Sequence, residues 1–469
     1  MKQFLISFLI AFLWTGSWAQ SQLDVPRALA FDEYLQLIID NHPVSKSALM
    51  QEDIGQAYLL KAKGGFDPKI GVDWAEKDYD GKDYYTNGRG ELKWDSPIGV
   101  QLKGGYENNS GLYVNPENST PSSGYWYAGL SVPLAQGLLF DDRRAAVGIA
   151  GVMNEMALNE QKALLNQLVL EAGKAYWKWY TAHYQLEVFQ EGLDLAQQRF
   201  EAVRMSALQG DKPLVDTLEA AIQVQNRKVQ LNNALLELEN AELWLESFLW
   251  DLGGEPMRLI SGTYPMLEQE VFYTPQSLIM DSALVSHPAI MKYTLELDQL
   301  SIQERLNREK LKPSLNVNYY PLSRPYQNDL VPQFAAQNYK WGLQFQMPVF
   351  LRKERGELRL TRAKIAQKEW AVDDARAKVQ AYINQARNQQ RTFAEQAVLL
   401  EDMAQNYRDL ADAETQLFQT GESSLFLVNQ REMGYIQARI KSIESLAKWQ
   451  QAGVQTAYAE GILWMNQEP

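Results

Sequence analysis

The chain has 469 residues, of which 46% are hydrophobic and 22% charged, and it contains no cysteine. This composition excludes an intrinsically disordered chain, and the lack of cysteine excludes disulfides, zinc–thiolate sites and a lipid-modified N-terminal cysteine. The formal net charge of −13 argues against a nucleic-acid partner, because phosphate binding requires clustered lysine and arginine.

The N-terminus has the features of a secretion signal. Lys2 is followed by an apolar run from Phe4 to Trp14 and then by small residues up to Ala19. This order predicts a signal peptide at residues 1–19 that is cleaved near Ala19. The alternative is a membrane anchor, which needs about 18 or more apolar residues, and this run is shorter. No later stretch is predicted to cross a membrane as a helix.

The rest of the chain consists of two similar halves. Each half has a His-Pro pair, a second proline, a strand-ending proline with an arginine after it, and a glycine that closes a long helical run. The landmarks are His42-Pro43, Pro68, Pro133, Arg144 and Gly210 in the first half, and His287-Pro288, Pro313, Pro348, Arg359 and Gly421 in the second. In both halves the second proline comes 25 residues after the first, and the arginine comes 11 residues after the strand-ending proline, whereas the segment between the second and the strand-ending proline differs in length. We interpret this order as an internal duplication.

The duplication predicts two structural repeats, at residues 20–252 and 276–463, with a linker at 253–275. The first is expected to contain strands within 68–133, a long helix at about 140–209 and a turn at 210–214. The second is expected to contain strands within 313–348, a long helix at about 353–420 and a turn at 421–425. Shorter helices are predicted at about 30–64, 213–251, 276–311 and 424–462.

The His-Pro pairs are interpreted as ordinary helix starts. Proline is favoured at the first helical position because its missing N–H would be unpaired there anyway. The alternative is that His42 and His287 are catalytic or metal-binding residues. No nucleotide loop, nucleophile elbow or HExxH motif accompanies them in the sequence, so we predict no enzyme activity and no cofactor.

Both long helices carry a heptad seam. In the first, the apolar steps alternate between four and three residues through Leu168, Ala172, Ala175, Trp179, Ala182, Leu186, Phe189, Leu193, Ala196 and Phe200. The second repeat holds the same seam with one polar interruption, Gln390. Such spacing keeps one stripe of a helix against a partner over many turns, and about 70 residues make a helix roughly 100 Å long. A plain coiled-coil spacer explains the seam equally well.

Between the helices the apolar period changes to two. KIGVDW and WGLQFQMP place apolar residues on one face and polar residues on the other, namely Ile70, Val72 and Trp74, and Trp341, Leu343, Phe345 and Met347. This alternation is typical of a transmembrane β-barrel, and also of a half-buried soluble sheet. With the signal peptide and the long helices, we favour the barrel. The patterns suggest four strands in the first repeat and two in the second.

This order of elements resembles the TolC family of outer-membrane efflux proteins. The resemblance is carried by the strand-ending prolines with their trailing arginines and by the glycine turns followed by PLVDTLEA and SLFLVNQR. It implies a mostly α fold in which three chains form a periplasmic α-barrel and an outer-membrane β-barrel. It further implies, as partners, a periplasmic membrane-fusion adaptor and an inner-membrane pump. The family usually has four strands per chain, so six would give either a wider barrel or an external hairpin.

The resemblance also implies roles for residues at the helix turns. The turns at 210–214 and 421–425 would form a tip that docks the adaptor, with the candidate residues Gly210, Leu214, Gly421 and Leu425. The family often carries acidic residues after the tip glycine, and Asp216 and Glu219 match this pattern as gate candidates. Leu427 and Gln430 stand at the corresponding positions of the second repeat, which therefore lacks the acids. Solvated surface carboxylates are the alternative interpretation of Asp216 and Glu219.

These features predict a passive channel in the outer membrane of a Gram-negative bacterium, the exit duct of a tripartite efflux or type I secretion system. The alternative is a non-conducting structural or adaptor protein that spans the periplasm. An adaptor is expected to have one helical hairpin, whereas this chain is predicted to have two. A general diffusion porin would account for the strands but leave the long helices without a purpose.

Overall fold

The computed structural model describes residues 27–266, 284, 286–324 and 332–463. The predicted signal peptide lies outside the described residues. So do residues 267–275 of the predicted linker and the start of the helix predicted from residue 276. Among the described residues, no helix is long and apolar enough to cross a bilayer.

The two halves contain helix, sheet strands, long helix and returning helix in the same order, with four sheet strands in the first half and two in the second. The first half contains β1 (Ala28–Leu29), α1 (Phe31–Asn41), α2 (Pro43–Lys63), β2 (Lys69–Tyr79), β3 (Lys82–Asp95), β4 (Gln101–Ser110), β5 (Tyr125–Pro133), α3 (Asp142–Leu208) and α4 (Leu214–Glu246). The second contains β6 (Tyr264–Pro265), α5 (Pro288–Glu309), β7 (Ser314–Ser323), β8 (Phe334–Gln346), α6 (Arg352–Gln419) and α7 (Leu425–Ala459). The predicted duplication of helix, strands, long helix and returning helix is confirmed.

Both His-Pro pairs begin a helix. In each, the imidazole Nδ1 accepts a hydrogen bond from the backbone N–H two residues on, at 3.1 Å in His42 and 3.2 Å in His287. The histidines therefore satisfy a backbone donor that the first turn leaves without an intrahelical partner. Burial lowers the pKa of His42, which favours the neutral ring that can accept this bond. The helix-start interpretation is confirmed, and the helix predicted at about 30–64 is split at His42.

The compact units of the fold do not follow the repeats. Among the residues that the structure describes, one unit contains those up to residue 47, those within 164–280 and those from residue 381 on, and the other contains those within 48–163 and 281–380. Each unit thus combines segments of both repeats. The repeat is a unit of sequence, and neither copy forms a compact body by itself.

Large aromatic side chains form the centre of the first unit's core. Tyr34, Tyr176 and Trp179 are fully buried, with ring centroids 5.5 Å apart for Tyr34 and Tyr176 and 5.7 Å apart for Tyr176 and Trp179. The Tyr176 hydroxyl donates to the Leu29 carbonyl at 2.7 Å, so this buried polar group is satisfied. Trp179 belongs to the predicted heptad seam, and every seam residue of α3 is buried or half-buried.

The second unit contains a six-stranded antiparallel sheet with the order β2, β3, β4, β5, β7, β8. Four strands come from the first repeat and two from the second, as the alternating patterns suggested. One face of the sheet is apolar and exposed, with the side chains Ile70, Val72, Trp74, Leu92, Leu102, Leu130, Trp341, Leu343 and Phe345. A single chain leaves this surface uncovered, as expected for strands that face lipid.

Arg144 fixes the connection between β5 and α3. Its Nε donates to Asp141 Oδ1 at 3.0 Å, and its Nη atoms donate to the carbonyl oxygens of Gly137, Leu138 and Leu139 at 2.6 to 3.0 Å. A guanidinium has five donors in a rigid fork, so one side chain satisfies several loop acceptors at once. Arg144 therefore holds this loop at the junction of strand and helix.

The equivalent arginine of the second repeat has a different environment, so the two arginines give a matched pair of variants. Arg359 is exposed on α6. We expect Arg144→Ala to destabilise the protein by about 2 kcal/mol, because carbonyl groups that pair with a charged donor lose their partner. Arg359→Ala should stay within about 0.5 kcal/mol of wild type. Thermal unfolding of the two purified variants, followed by tryptophan fluorescence, checks this, and equal melting temperatures would contradict it.

Candidate gate at the helix tip

The two tip turns have the same hydrogen-bonded geometry. Gly210 and Gly421 have positive φ angles of 85° and 81°, a conformation that glycine adopts without strain. In each turn the glycine N–H and the next N–H bond back to the end of the preceding helix, in the pairs Gly210–Ala207 (3.1 Å), Asp211–Ser206 (3.0 Å), Gly421–Phe418 (3.2 Å) and Glu422–Leu417 (2.9 Å). These bonds terminate α3 and α6 and return the chain antiparallel.

The two turns pack against each other. Lys212 Nζ lies 3.7 Å from the centroid of the Phe418 ring, a distance at which a cation is attracted to the ring face. Below this contact is a small apolar cluster that draws on both repeats and contains Val203, Ala220 and Leu425, with Phe200 and Phe418 against it. The first and second turns are therefore held together as one structure.

The predicted docking residues have different environments. Leu214 is 79% exposed, whereas Leu425 is only 5% exposed and lies in the tip cluster. Directly after the second turn, the apolar side chain of Phe426 is exposed, at 64%. The side chain of Leu425 thus supports the turn from inside, while Leu214 and Phe426 expose apolar side chains at the surface.

The two gate candidates lie in the first turns of α4 and are both half-buried. Asp216 is within the first turn, where the positive end of the helix dipole favours a carboxylate. Glu219 Oε1 accepts a long hydrogen bond of 3.4 Å from Asn429 Nδ2 on α7. Glu219 therefore connects α4 to α7, whereas Asp216 contributes negative charge at the helix start.

A buried polar network continues from Glu219 away from the tip. Arg199 on α3 donates to Asn429 Oδ1 at 3.2 Å and forms an ion pair with Glu432 on α7. Arg227 on α4 is 5% exposed, and burial lowers the pKa of its guanidinium while the charge of Glu432 opposes that effect. Removing one member of a buried charged group leaves the others uncompensated, which costs several kcal/mol.

A sequence model of the outer membrane efflux protein family matches residues 99–249 and 279–458. These two segments cover more than half of the chain. The chain belongs to the outer membrane efflux protein family. It is an outer-membrane efflux channel, and the resemblance to TolC-family channels is confirmed. No curated protein sequence matches the chain.

Solved structures of outer-membrane channels have the same fold. The CmeC outer membrane channel of Campylobacter jejuni superposes with a TM-score of 0.64 at 14% identity, covering 92% of this chain and 86% of that chain. VceC of Vibrio cholerae gives 0.64 at 13%, covering 92% and 96%. The open state of the Neisseria gonorrhoeae MtrE channel gives 0.66 at 13%, covering 94% and 91%. The mostly helical fold with membrane strands is therefore that of the outer membrane efflux proteins.

Sequence reasoning missed most of the polar network. The clearest sequence signal of this network is on α4, where the buried heptad positions are Ala220, Arg227, Ala234 and Ala241. A single arginine among alanines of a seam indicates a specific buried partner, because a charged side chain is otherwise excluded from such a position. In this efflux protein Arg227 donates to Gln230 at 2.9 Å, and the opposite charge that acts on it is that of Glu432, from the other repeat.

Proposed function

We propose that this efflux protein is the exit duct of a tripartite efflux or type I secretion system. In this proposal three copies form one conduit that crosses the outer membrane and extends into the periplasm of a Gram-negative bacterium. A periplasmic membrane-fusion adaptor docks at the tip and connects the duct to an inner-membrane pump. In this proposal the duct is passive and acts without catalytic residues, a cofactor or a nucleic-acid partner.

The observation that carries this proposal is that α4 has two lateral apolar faces. One is the buried heptad stripe that contains Ala220, Ala234 and Ala241. The second stripe is displaced by two residues, about 200° around the helix, and consists of Val215, Ile222, Val229, Leu236 and Leu243, which are 46% to 66% exposed. A helix in the wall of a barrel contacts neighbours on opposite sides. The second stripe is therefore the surface that a further copy of this chain would cover.

The tip offers a surface for the adaptor. Leu214 and Phe426 are exposed beside the glycine turns at Gly210 and Gly421. An apolar residue next to a rigid turn makes a good anchor for a partner, because little conformational entropy is lost on binding. In this proposal the adaptor covers Leu214 and Phe426, while Leu425 maintains the turn beneath them.

The gate proposal keeps Asp216 and Glu219 but gives them separate roles. Asp216 adds negative charge at the tip, which in a trimer would produce a ring that favours cations. Glu219 ties α4 to α7 through Asn429, and this bond favours the closed arrangement of the tip helices. Opening then requires α4 and α7 to separate at this contact.

Single-channel recording of the purified wild-type protein in a planar bilayer tests the proposed function. We expect a trimer by mass in detergent, with small, cation-selective currents limited by the closed tip. If the protein is instead a non-conducting structural or adaptor protein, it should be folded but give no current at any voltage. A trimer that fails to conduct, even when variants loosen its tip, would overturn the duct and favour a structural role.

A further inference from the structure

The hairpin of β2 and β3 is an addition to the part of the chain that matches the family. The family match begins at residue 99, after β3 has ended at Asp95. Strand β3 nevertheless pairs with β4 without interruption, from Thr86 opposite Ser110 to Asp95 opposite Gln101. The hairpin is therefore part of the main sheet, and it occupies the edge of β4 that a four-stranded sheet would leave free.

The sheet has two open edges among the described strands, β2 and β8. All neighbouring pairs are antiparallel, so β2 and β8 run in opposite directions. Rotated copies of the same sheet can then join β8 to β2 with antiparallel pairing throughout. Edge strands expose unpaired N–H and C=O groups, and in a membrane such groups must be paired because no water is available.

We propose that β2 of each copy pairs with β8 of the next copy, so that the extra hairpin is part of the wall of an 18-stranded barrel. This inference rests on the trimer of the proposed function. The binding partner of each edge is thus a second copy of this chain. The other possible arrangement places the hairpin outside the barrel and closes the wall between β4 and β8.

The register of the sheet supports the wider closure. A continuous row of paired residues crosses five strands through Trp94, Leu102, Leu130, Tyr319 and Trp341. Lys69, the first residue of β2, is paired with Lys93, one position before Trp94. The residue of β8 in the same row as Lys69 is therefore Lys340, one position before Trp341. The end of β8 that leads into α6 is Gln346, about six residues further along the strand.

The displacement of six residues between Lys340 and Gln346 on β8 is the stagger of one copy, that is, the shift in strand register around the barrel that a closed barrel needs. Both α2 and α6 adjoin the same end of the sheet, so Lys69 and Gln346 of neighbouring copies belong at the same membrane boundary. Three copies then accumulate a stagger of roughly 18 residues for 18 strands. A barrel whose stagger equals its strand number has strands tilted by about 36°, within the range of about 35–45° of outer-membrane barrels.

The parity of the stagger is an independent check. Side chains alternate between faces, so only an even displacement keeps the apolar residues of β2 and β8 on the same side. A shift of six residues is even and places apolar residues opposite each other, in the pairs Ile70 with Phe345, Val72 with Leu343 and Trp74 with Trp341. All six are exposed in the single chain, and pairing makes one continuous apolar band.

The wider barrel changes where the channel is narrowest. Barrel diameter grows roughly linearly with strand number, so 18 strands give about 1.5 times the width of 12. Barrels of this size leave an aqueous channel. Restriction of the transported molecule by size therefore occurs at the helix tip and not at the membrane end, and the exit can pass bulkier cargo than a 12-stranded barrel.

Paired cysteines test the seam directly, since the natural chain has none. The test variant is Gly71→Cys/Gln344→Cys, two positions on the inward face that the proposal places opposite each other. The two edges of one sheet are about 24 Å apart, so a disulfide must join different copies. We expect oxidation of the membrane-inserted protein to give covalent dimers and trimers as the main species on non-reducing gels.

Two control variants define the alternatives. Lys103→Cys/Gln344→Cys reports closure between β4 and β8, and Gly71→Cys/Asn338→Cys reports pairing without the stagger. Strong cross-linking of either control in place of the test pair would overturn the proposal. If the cysteine variants fail to assemble, electron microscopy of the wild-type trimer decides the question by the number of strands in its barrel. We expect 18 strands, and 12 strands would contradict the proposal. Wild-type protein that is monomeric by mass would instead show that the proposed trimer itself is wrong.

Discussion

Replacing Val229 and Leu236 by glutamate is expected to convert the proposed trimer into monomers. Both side chains lie in the exposed stripe of α4, at 59% and 55% exposure, and burial of each stabilises assembly by about 1.5–3 kcal/mol. A carboxylate without a partner in the same interface costs several kcal/mol more. The change is repeated at three interfaces, so the loss exceeds what other contacts can offset. Mass photometry or native mass spectrometry in detergent measures the result.

The control for this variant is Lys228→Glu. Lys228 is exposed on α4, about 100° around the helix from the apolar stripe, and its reversal changes the charge by as much as the two glutamates together. We expect this variant to remain trimeric. A Val229→Glu/Leu236→Glu protein that keeps the wild-type mass would show that the stripe faces something other than a neighbouring copy, such as the adaptor.

Glu219→Ala is expected to raise the open probability of the channel about fivefold. The bond from Asn429 to Glu219 connects α4 to α7, and a half-exposed hydrogen bond to a carboxylate contributes about 1 kcal/mol. Because this bond exists only in the closed state, its loss shifts the equilibrium between closed and open channel by about fivefold toward the open state. Asp216→Ala should leave open probability nearly unchanged and reduce cation selectivity, because that carboxylate contributes charge. Single-channel recording measures the open probability, and the reversal potential in a KCl gradient measures the cation selectivity.

Glu219→Gln separates the charge of this residue from its hydrogen bond. The glutamine carbonyl can still accept from Asn429, so open probability should stay near that of wild type while cation selectivity falls. If Glu219→Ala and Glu219→Gln open the channel equally, the charge controls the gate and the contact with Asn429 does not. If neither variant alters open probability, Glu219 has no part in the gate.

The sequence alone determined the repeats and the kind of each element. Heptad spacing through residues such as Ala172 and Trp179 predicted long packed helices because an α-helix returns to the same face every three to four residues. Alternation at Ile70, Val72 and Trp74 predicted strands with an apolar face. These are local periodicities, so no knowledge of distant contacts is needed to interpret them.

The candidate site was only partly predictable for the same reason. The tip glycines Gly210 and Gly421 could be identified because a positive φ angle is a local requirement. The pairing of Glu219 with Asn429, and of Arg199 with Glu432, joins the two repeats across more than 200 residues. The sequence carries no periodic signal for such contacts, so these residues could not be grouped in advance.

Only the tertiary structure decided which equivalent residues have equivalent roles. Arg144 and Arg359 are matched in the duplication, yet Arg144 binds the loop carbonyls and Arg359 is exposed. Leu214 is exposed at the tip while Leu425 is buried. The extra hairpin could have been separate from the main sheet until β3 was seen to pair with β4. Periodicity determines which face of an element is apolar, whereas the three-dimensional packing of distant segments determines what covers that face.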